Sequence, residues 1–443
     1  MNGFLHYMLS AIDPSSVIGM FRTLPELLTS AYIPFWLIFV FPVARFFLPD
    51  VACWIAYQLK PSLIRPPLPP ARRRAEPLVS VVIAGRNESA SIGAAIRSTL
   101  LCGYGNLEIV FADDGSDDDS VAVARRVAES LTHCSRRPSD KVRIFTSQRR
   151  NGKASALNVG IRMARGEFIV ILDADSEIQY GAIQHWLVPF ADPRVGAVAA
   201  NLRVRNARAS LVTRFQECEY ALQVTMTRLA ESLVGLLTIV PGAGGMFRAD
   251  IIRRLGGFDP GLGDDTDMTL KLRKQGRRVG FSVDAVVWTD VPVTWKRLVS
   301  QRTRWERNMV KIRISKHRDL FLLGRYGLAN AIITVDLLIV RILLPWVSAI
   351  GIAVVIWHGP LSAPQVLTAF YWGYLTWLSI KWLIARDIAR TPQPGHFWLL
   401  PAFPFYKLGL RAVTMAAVFR ELLRIGVRHP YVPAHIWSEN PQW

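Results

Sequence analysis

Three groups of aspartates stand where short apolar runs end or a helix is about to begin. They are Asp113-Asp114-Gly115, Asp173-Ala174-Asp175 and Gly263-Asp264-Asp265-Thr266-Asp267. Side chains along a strand alternate with a period of two, so Asp173 and Asp175 are predicted to point to one side and share a divalent ion. Their hard oxygen atoms suit Mg²⁺ or Mn²⁺. Phosphate oxygens of a ligand usually complete the coordination shell of these ions. The simpler interpretation is that such aspartates form turns and cap helices, but their repetition on successive strands favours a site.

The third aspartate group precedes the segment MTLKLRKQ, which has the pattern of a helix. Its Met268 and Leu272 are four residues apart, and Gly276 follows as a stop. The helix dipole favours anions at this end, so at least one carboxylate is predicted to stay ionised. A general base needs that state to accept a hydroxyl proton. The alternative is that these aspartates only cap the helix.

A strongly basic segment, 294–318, follows the third group. Residues 296–318 contain nine Lys or Arg and one acid. The segment is predicted to form an amphipathic helix on a membrane surface, with one face made by Leu298, Trp305, Met309 and Ile312. Trp305 could offer a flat platform for a sugar ring while Arg302 or Arg304 grips phosphate. A solvated basic face is the alternative, and it explains the charges but not the tryptophan.

The elements that must position these residues lie between 78 and 286, where short apolar runs alternate with amphipathic stretches. Strands are predicted at 78–84, 107–112, 142–145, 167–172 and 195–200. Helices are predicted at 90–101, 120–130 and 153–165. The fold class is therefore a doubly wound α/β domain, in which ligands bind beyond the carboxyl ends of the strands. Lys153 starts the third helix, where phosphate is favoured, and the run 242–245 is predicted to be a tight turn.

Apolar segments flank this domain. Residues 32–49 are eighteen residues with one charge, close to the length that crosses about 30 Å of hydrocarbon, so one N-terminal transmembrane span is predicted. A buried core helix is the alternative. Cations after this span place the central domain in the cytoplasm. We predict six parts along the chain. They are an N-terminal segment with one span (1–59), a basic Pro-rich linker (60–76), the cytoplasmic domain (77–293), the amphipathic interfacial segment (294–325), a membrane region of two or three spans (326–425) and a tail (426–443).

Composition narrows the class of protein. With 443 residues, 51% of them hydrophobic, and a mean hydropathy of +0.23, the chain is too apolar for a disordered protein and unusual for a soluble enzyme. A net charge of +19 suits anionic membranes, phosphate-bearing ligands or nucleic acid, but no nucleic-acid recognition motif accompanies it. The four cysteines lack zinc or disulfide spacing. GxxxxGK[ST], GxGxxG, HExxH and GxSxG are absent, so the corresponding hydrolase and dinucleotide-binding chemistries lose support.

The motifs taken together resemble a known family. In order they are VSVVIAGRNES (79–89), FADDGSDDDS (111–120), NGKASALNVG (151–160), ILDADSE (171–177), GDDTDMTLKL (263–272) and QRTRW (301–305). They are similar to the inverting family 2 glycosyltransferases. Within that family they resemble the membrane-embedded hyaluronan, chitin-oligosaccharide, poly-N-acetylglucosamine and cellulose synthases. The resemblance implies a glycosyltransferase A type domain that binds a nucleotide sugar.

The resemblance implies donor-binding roles for residues of five motifs. They are Asn87, Glu88, Asp113, Asp114, Lys153, Asp173, Gln301 and Arg304. Asp113 and Asp114 would hold the uracil and ribose of a UDP-sugar, with Asn87 and Glu88 near the base. The other donor residues would contact the nucleotide or its diphosphate. Asp175 would bind the Mg²⁺ or Mn²⁺ on that diphosphate.

The resemblance also implies roles on the acceptor side. Asp265 matches the catalytic base that deprotonates the acceptor hydroxyl. Trp305 matches the ring on which the acceptor sugar stacks, and Asp264 is expected beside the acceptor. Gly263-Asp264-Asp265 departs from the Thr-Glu-Asp of many relatives and is more like the hyaluronan and chitin-oligosaccharide branch. UDP-N-acetylglucosamine is therefore favoured slightly over UDP-glucose as the donor.

Three functions remain open from the sequence. The favoured one is a multi-pass enzyme of the plasma (inner) membrane that extends a β-linked polysaccharide processively, without nucleic acid and with a homo-oligomer or an accessory export protein as possible partners. The second is transfer of one sugar to a membrane lipid acceptor. The third is a non-catalytic scaffold that binds anionic lipid, which the charge alone would explain. The aspartates at predicted ligand-side positions have no use in binding anions and argue against that scaffold.

Overall fold

The computed structural model describes residues 43–68, 76–132, 141–259, 264–322, 325–358, 363–390 and 394–423. Its centre is a sheet whose strands are β1 (Val79–Gly85), β2 (Leu107–Asp113), β3 (Val142–Thr146), β4 (Phe168–Asp173), β5 (Ser176–Ile178), β6 (Val195–Val204), β7 (Gly245–Arg248) and β8 (Arg278–Thr289). Across the sheet, the order of the strands is β3-β2-β1-β4-β7-β6-β8-β5.

The sheet is parallel from β3 to β4 and mixed beyond. β1 pairs in parallel with β2 and β4, and β2 pairs in parallel with β3. β7 runs antiparallel to both β4 and β6, whereas β6 and β8 are parallel and β5 is antiparallel to β8. β2 is buried along its whole length and β1 up to Ala84. Such continuous burial is expected of parallel strands that helices cover on both faces.

All five predicted strands are present, and the fifth continues to Val204 as β6. The sequence pattern missed β5, β7 and β8. The prediction of a tight turn at 242–245 is partly wrong. The Gly244 N–H does donate to the Pro241 carbonyl at 3.1 Å, but Gly245 already belongs to β7. Because β7 is only four residues long and lies between two longer strands, its partners and not its own pattern decide its conformation.

The helices connect and flank the strands. The α-helices are α1 (Leu48–Leu59), α2 (Pro61–Ile64), α3 (Ile92–Leu100), α4 (Ser120–Thr132), α5 (Lys153–Met163), α6 (Ala182–Leu187), α7 (Leu211–Glu219), α8 (Met226–Leu233), α9 (Ala249–Arg254), α10 (Asp264–Lys274), α11 (Trp295–Val310), α12 (Leu328–Leu338), α13 (Leu344–His358), α14 (Ala363–Ala389) and α15 (Phe403–Leu422). π-Helical turns occupy Val43–Phe47, Tyr220–Thr225, Lys311–Lys316 and Ile339–Leu343. Short 3₁₀ helices occupy Val188–Ala191, Arg318–Phe321 and Pro394–Ala402.

Helix α5 lies unusually close to the sheet at Gly160. A Cβ atom on this residue would sit 2.4 Å from Val82 Cγ1 of β1, so a larger residue would push the helix away. At the start of the same helix, Gly152 has a φ of 93°, which favours glycine. These two glycines hold the first residue of α5, Lys153, near the carboxyl ends of the parallel strands.

The predicted amphipathic helix is present as α11. Thr294 caps it by accepting a hydrogen bond from the Arg297 N–H at 3.4 Å. Of the predicted apolar face, Leu298 and Met309 are buried and Trp305 is 40% exposed. The Arg302 guanidinium lies over the Trp305 ring, with its Cζ 4.6 Å from the ring centroid.

The terminal helices contact one another through ion pairs. Lys381 of α14 lies 2.6 Å from the Asp50 carboxylate of α1, and Arg45 donates two hydrogen bonds to Asp336 of α12 at 2.7 and 2.9 Å. Across the parts of the chain that the structure describes, no single helix combines the length and the apolar character that a membrane crossing requires. The predicted span at 32–49 lies outside the described residues as far as residue 42.

Candidate active site

Two aspartate groups meet at one edge of the sheet because β1 lies between β2 and β4. In the register of these strands, Gly85 of β1 stands opposite Asp113 of β2, and Ala84 stands opposite Asp173 of β4. All three strands are parallel, so their carboxyl ends share this edge. The sheet thus places both groups where open α/β folds bind ligands.

Asp113 and Asp114 are buried and hold the loops that frame this edge. Asp113 Oδ2 accepts a hydrogen bond from the Ser116 N–H at 3.2 Å, and its other oxygen accepts from the Ser116 hydroxyl. The Asp114 carboxylate accepts from the backbone N–H groups of Asn151 at 2.7 Å and Gly152 at 2.8 Å. The carboxylate of Asp114 therefore fixes the loop that leads into α5. Contact of either side chain with a nucleotide stays a prediction.

Asp114→Ala is expected to loosen the loop before Lys153. The change leaves two amide N–H groups without their acceptor, which costs about 2 kcal/mol or more of stability. The affinity for UDP, the predicted ligand, should fall in a calorimetric titration along with the unfolding temperature. Asp117→Ala is the matched control, because its carboxylate is 76% exposed and pairs with Arg86 at the surface. Full UDP affinity in Asp114→Ala would show that the loop does not depend on this carboxylate.

The loop after β1 carries the two residues predicted to lie near the base. Asn87 has a φ of 58°, a left-handed conformation that asparagine tolerates better than most residues. Its Oδ1 accepts from the Asp117 N–H at 2.9 Å. The Glu88 N–H donates to Ser120 Oγ at 2.7 Å, and Glu88 Oε2 accepts from the Ser91 hydroxyl at 2.8 Å. These bonds tie the loop to the segment that follows β2.

Lys153 and three carboxylates form the centre of the site. The ammonium of Lys153 pairs with Asp173 Oδ1. Burial raises the pKa of Asp175 to about 6, and the charges of Asp173 and Glu88 contribute to the rise while Lys153 opposes it. Burial also raises the pKa of Glu88, again with a contribution from Asp173. One lysine therefore compensates only part of the negative charge in this cluster.

This cluster fits a divalent metal. Asp173 and Asp175 supply hard oxygen atoms, and their mutual repulsion is relieved by a cation. Within the described residues, no three carboxylate, histidine or cysteine side chains form a complete ligand set. Asp173 and Asp175 would therefore hold Mg²⁺ or Mn²⁺ together with ligand oxygens, an arrangement that is common for Mg²⁺ bound to phosphates.

Asp265, the predicted base, lies in the first turn of α10. Burial raises the pKa of Asp265, the Asp173 charge raises it further, and the Thr266 N–H, Lys153 and Arg228 lower it. The Thr266 N–H donates to Asp265 Oδ1 at 2.8 Å. Asp265 thus has electrostatic interactions with the donor-side residues Lys153 and Asp173. The side chain of Asp264 lies outside what the structure describes.

Two site residues were not predicted from the sequence, Tyr220 and Arg228. Arg228 of α8 interacts electrostatically with Asp265, and its Nη1 is buried with no hydrogen-bond partner among the described residues. Burial raises the pKa of Tyr220. The charge of Arg302 lowers this pKa and the charge of Asp175 raises it. Tyr220 therefore interacts electrostatically with Arg302 of α11 and with the predicted metal ligand Asp175. Both residues lie in the segment 211–233, which carries none of the six motifs and offered no signal in the sequence.

The residues predicted on α11 differ in their surroundings. Trp305 is partly exposed under the Arg302 guanidinium. Gln301 Oε1 is buried without a hydrogen-bond partner among the described residues. Arg302, one of two candidates for gripping phosphate, donates to Glu219 Oε2 at 2.8 Å and is already engaged. Contact of Arg304 with phosphate stays a prediction.

Comparisons with known proteins agree on one family. The sequence pattern of the family described as "Glycosyltransferase like family 2" matches residues 76–308. The chain is 29% identical over 229 residues to a poly-beta-1,6-N-acetyl-D-glucosamine synthase of Staphylococcus aureus (strain COL), covering 51% of this chain and 53% of that protein. It is 30% identical over 238 residues to the probable glycosyltransferase YdaM of Bacillus subtilis (strain 168), covering 52% and 55%. The chain thus matches about half the length of these relatives.

A solved structure shows the same fold. The mannosyltransferase PcManGT from Pyrobaculum calidifontis, in complex with GDP-Man and Mn²⁺, superposes with a TM-score of 0.60 at 22% identity, covering 89% of this chain and 100% of that chain. The likeness establishes a glycosyltransferase A type α/β fold. The family pattern spans this domain from the residues before β1 into α11, which is more than half of the chain. The chain therefore belongs to the glycosyltransferase like family 2.

Proposed function

We propose that this protein is an inverting glycosyltransferase that uses a UDP-sugar, with UDP-N-acetylglucosamine favoured over UDP-glucose, to extend a β-linked polysaccharide. The observation that carries the proposal is that Lys153 pairs with Asp173 at the carboxyl end of β4, two residues before Asp175, and that Asp265 interacts electrostatically with both Lys153 and Asp173. These residues supply a cation and metal-binding carboxylates for a diphosphate, together with a separate carboxylate of raised pKa. An inverting sugar transfer needs those groups and no covalent nucleophile.

In the proposed reaction, Asp265 accepts the proton of the acceptor hydroxyl. The hydroxyl oxygen then attacks the anomeric carbon of the donor while the bond to the diphosphate breaks, and this single displacement inverts the anomeric centre. Lys153 and Arg304 hold the diphosphate as negative charge develops on it. A divalent ion held by Asp173 and Asp175 would act as a Lewis acid on the diphosphate oxygens. Asn87, Glu88, Asp113, Asp114 and Gln301 are proposed to bind the rest of the donor.

Two observations support a polysaccharide product. One similar protein, from Staphylococcus aureus, is named a poly-beta-1,6-N-acetyl-D-glucosamine synthase. In addition, Trp305 offers a partly exposed ring on the helix that packs against α15, in the C-terminal helical region. Aromatic rings of this kind bind sugar faces and tolerate the sliding of a chain from one sugar to the next. We therefore propose processive extension, with Trp305 and Asp264 on the acceptor side.

The cellular location of the protein is also a proposal. The apolar segments predicted at 32–49 and beyond 325, together with the net charge of +19, support a multi-pass protein of the plasma membrane with a cytoplasmic catalytic domain. We expect the full chain to stay in the membrane pellet after a carbonate wash. Release into the wash would contradict a membrane-spanning arrangement and leave the catalytic proposal standing.

Mass analysis of the product tests the catalytic proposal. Purified protein with Mn²⁺ is offered UDP-N-acetylglucosamine, UDP-glucose and GDP-mannose separately, each with oligosaccharide and with membrane lipid as acceptor. A ladder of products from UDP-N-acetylglucosamine is expected. A lipid carrying a single sugar would instead assign the second function, transfer to a membrane lipid. Products from GDP-mannose alone would overturn the choice of donor.

A further inference from the structure

A buried carboxylate at the end of α7 connects three elements. Glu219, 5% exposed, accepts hydrogen bonds from Arg302 of α11 at 2.8 Å and from Tyr406 and Lys407 of α15 at 2.7 and 3.0 Å. Burial alone would raise the pKa of this carboxyl, but Arg302, Lys407 and Tyr406 outweigh it and hold the pKa at about 2. Glu219 is therefore an ionised carboxylate whose three hydrogen bonds fix the positions of Arg302, Tyr406 and Lys407.

The partner that matters for the site is Arg302. Its Nη2 is bound to Glu219 while its Cζ lies 4.6 Å from the centroid of the Trp305 ring. A guanidinium at this distance over an indole makes a cation–π contact and covers one face of the ring. Trp305 still exposes 40% of its surface. One face of the ring is thus covered from within the protein, and the exposed part is available to a ligand.

We propose that Glu219 is a positioning residue for the acceptor sugar. By holding Arg302, it keeps the indole of Trp305 at a fixed angle, so that the open face of the ring receives a sugar in the orientation that Asp265 requires. The same carboxylate also binds Tyr406 and Lys407, and it thereby fixes the position of the Trp305 ring relative to α15. The inference rests on the proposed function, since it takes Trp305 as the acceptor platform.

The primary test is Glu219→Gln, which keeps the shape of the side chain and removes its charge. The KM for a β-linked N-acetylglucosamine oligosaccharide is expected to rise about tenfold, the scale of a partly desolvated cation–π contact. Three properties of the donor side should stay unchanged. They are the KM for UDP-N-acetylglucosamine, the affinity for UDP measured by calorimetry, and the slow rate at which the enzyme hydrolyses the donor to UDP without an acceptor. An unchanged acceptor KM would overturn the proposal.

Two further variants separate positioning from folding. Glu108→Gln makes the same change at another buried carboxylate, which accepts from Ser80 at 2.6 Å and Arg143 at 2.8 Å away from α11, and its acceptor KM should equal that of the wild type. Arg302→Lys keeps the charge but loses the planar group, so it should raise the acceptor KM as Glu219→Gln does. A matched rise in Glu108→Gln, or a joint loss of UDP affinity in Glu219→Gln, would assign Glu219 a structural role only.

A double-mutant cycle with Trp305→Ala tests whether Glu219 acts through the Trp305 ring. If Glu219 acts through the ring, Glu219→Gln should have no further effect on the acceptor KM in the Trp305→Ala protein. Additive effects would overturn the inference even if each single variant is impaired. A wild-type protein that releases UDP at the same rate with and without the oligosaccharide would instead refute the proposed function, so the two failures are distinguishable.

Discussion

Asp265→Asn is expected to lower the kcat of sugar transfer by about 10²–10⁴-fold, the range that a general base contributes. Asparagine cannot accept the proton of the acceptor hydroxyl. It can keep the hydrogen bond from the Thr266 N–H, now 2.8 Å from Asp265 Oδ1. It also removes a charge whose burial raises the pKa of the group. The variant should therefore fold and bind UDP like the wild type, and only the chemical step should fail.

The measurement is the initial rate of transfer across a range of pH, together with a UDP titration. In the wild type, the rate should fall as pH drops through the raised pKa of Asp265, because protonation removes the base. At saturating Mn²⁺, which holds Asp175 ionised, this acid limb should lie above the ordinary range of an aspartate and should vanish in the residual activity of Asp265→Asn.

Asp267→Asn is the matched control on the same helix. Asp267 accepts from His317 at 2.7 Å and pairs with Lys316 at 2.7 Å, and these partners hold its pKa well below the ordinary value despite burial. A group with a lowered pKa stabilises the fold above its unfolded pKa, so this variant should lose about 3 kcal/mol of stability at neutral pH. Its kcat should be retained below the unfolding temperature. A loss of kcat in Asp267→Asn as large as in Asp265→Asn would reject the role given to Asp265.

The sequence predicts the part of the site that lies on regular elements close to a motif. Asp113 and Asp173 end apolar runs whose alternation with amphipathic stretches predicts buried parallel strands, so their shared edge follows from that alternation. Lys153 follows a glycine and starts an amphipathic stretch, which placed it at a helix N-terminus. The family also follows from the order of the motifs, and the match over residues 76–308 confirms it.

The sequence does not predict contacts that depend on tertiary packing. Glu219 and Arg302 are separated by 83 residues and meet only because α7 and α11 pack together. Arg228 has no local pattern that distinguishes it from a surface arginine, and only its neighbour Asp265 marks it as part of the site. Helical spacing places Trp305 on the same side of α11 as Leu298 and Met309, but spacing cannot show that Arg302 lies over the ring.

Asp175→Asn is expected to remove metal-dependent donor binding. The wild type should bind UDP more tightly with Mn²⁺ than after chelation with EDTA, because Asp173 and Asp175 supply the protein oxygens of the proposed site. Losing one of two charged ligands should lower the rate of transfer on the order of 10²-fold or more, since a bound metal supplies several kcal/mol. In the calorimeter, the difference between UDP titrations with and without Mn²⁺ should largely disappear.

The stability of the same variant distinguishes a lost ligand from a damaged fold. In the metal-free protein, Asp175 is crowded by the charges of Asp173 and Glu88. Asparagine relieves this repulsion, so the unfolding temperature measured in EDTA should be equal to or higher than that of the wild type. Asp250→Asn is the matched control, because its carboxylate is 64% exposed and pairs only with Arg254 on the same helix. Retained Mn²⁺-dependent UDP binding in Asp175→Asn would show that the metal is held elsewhere, and a lower unfolding temperature in EDTA would show that Asp175 supports the fold instead of a ligand.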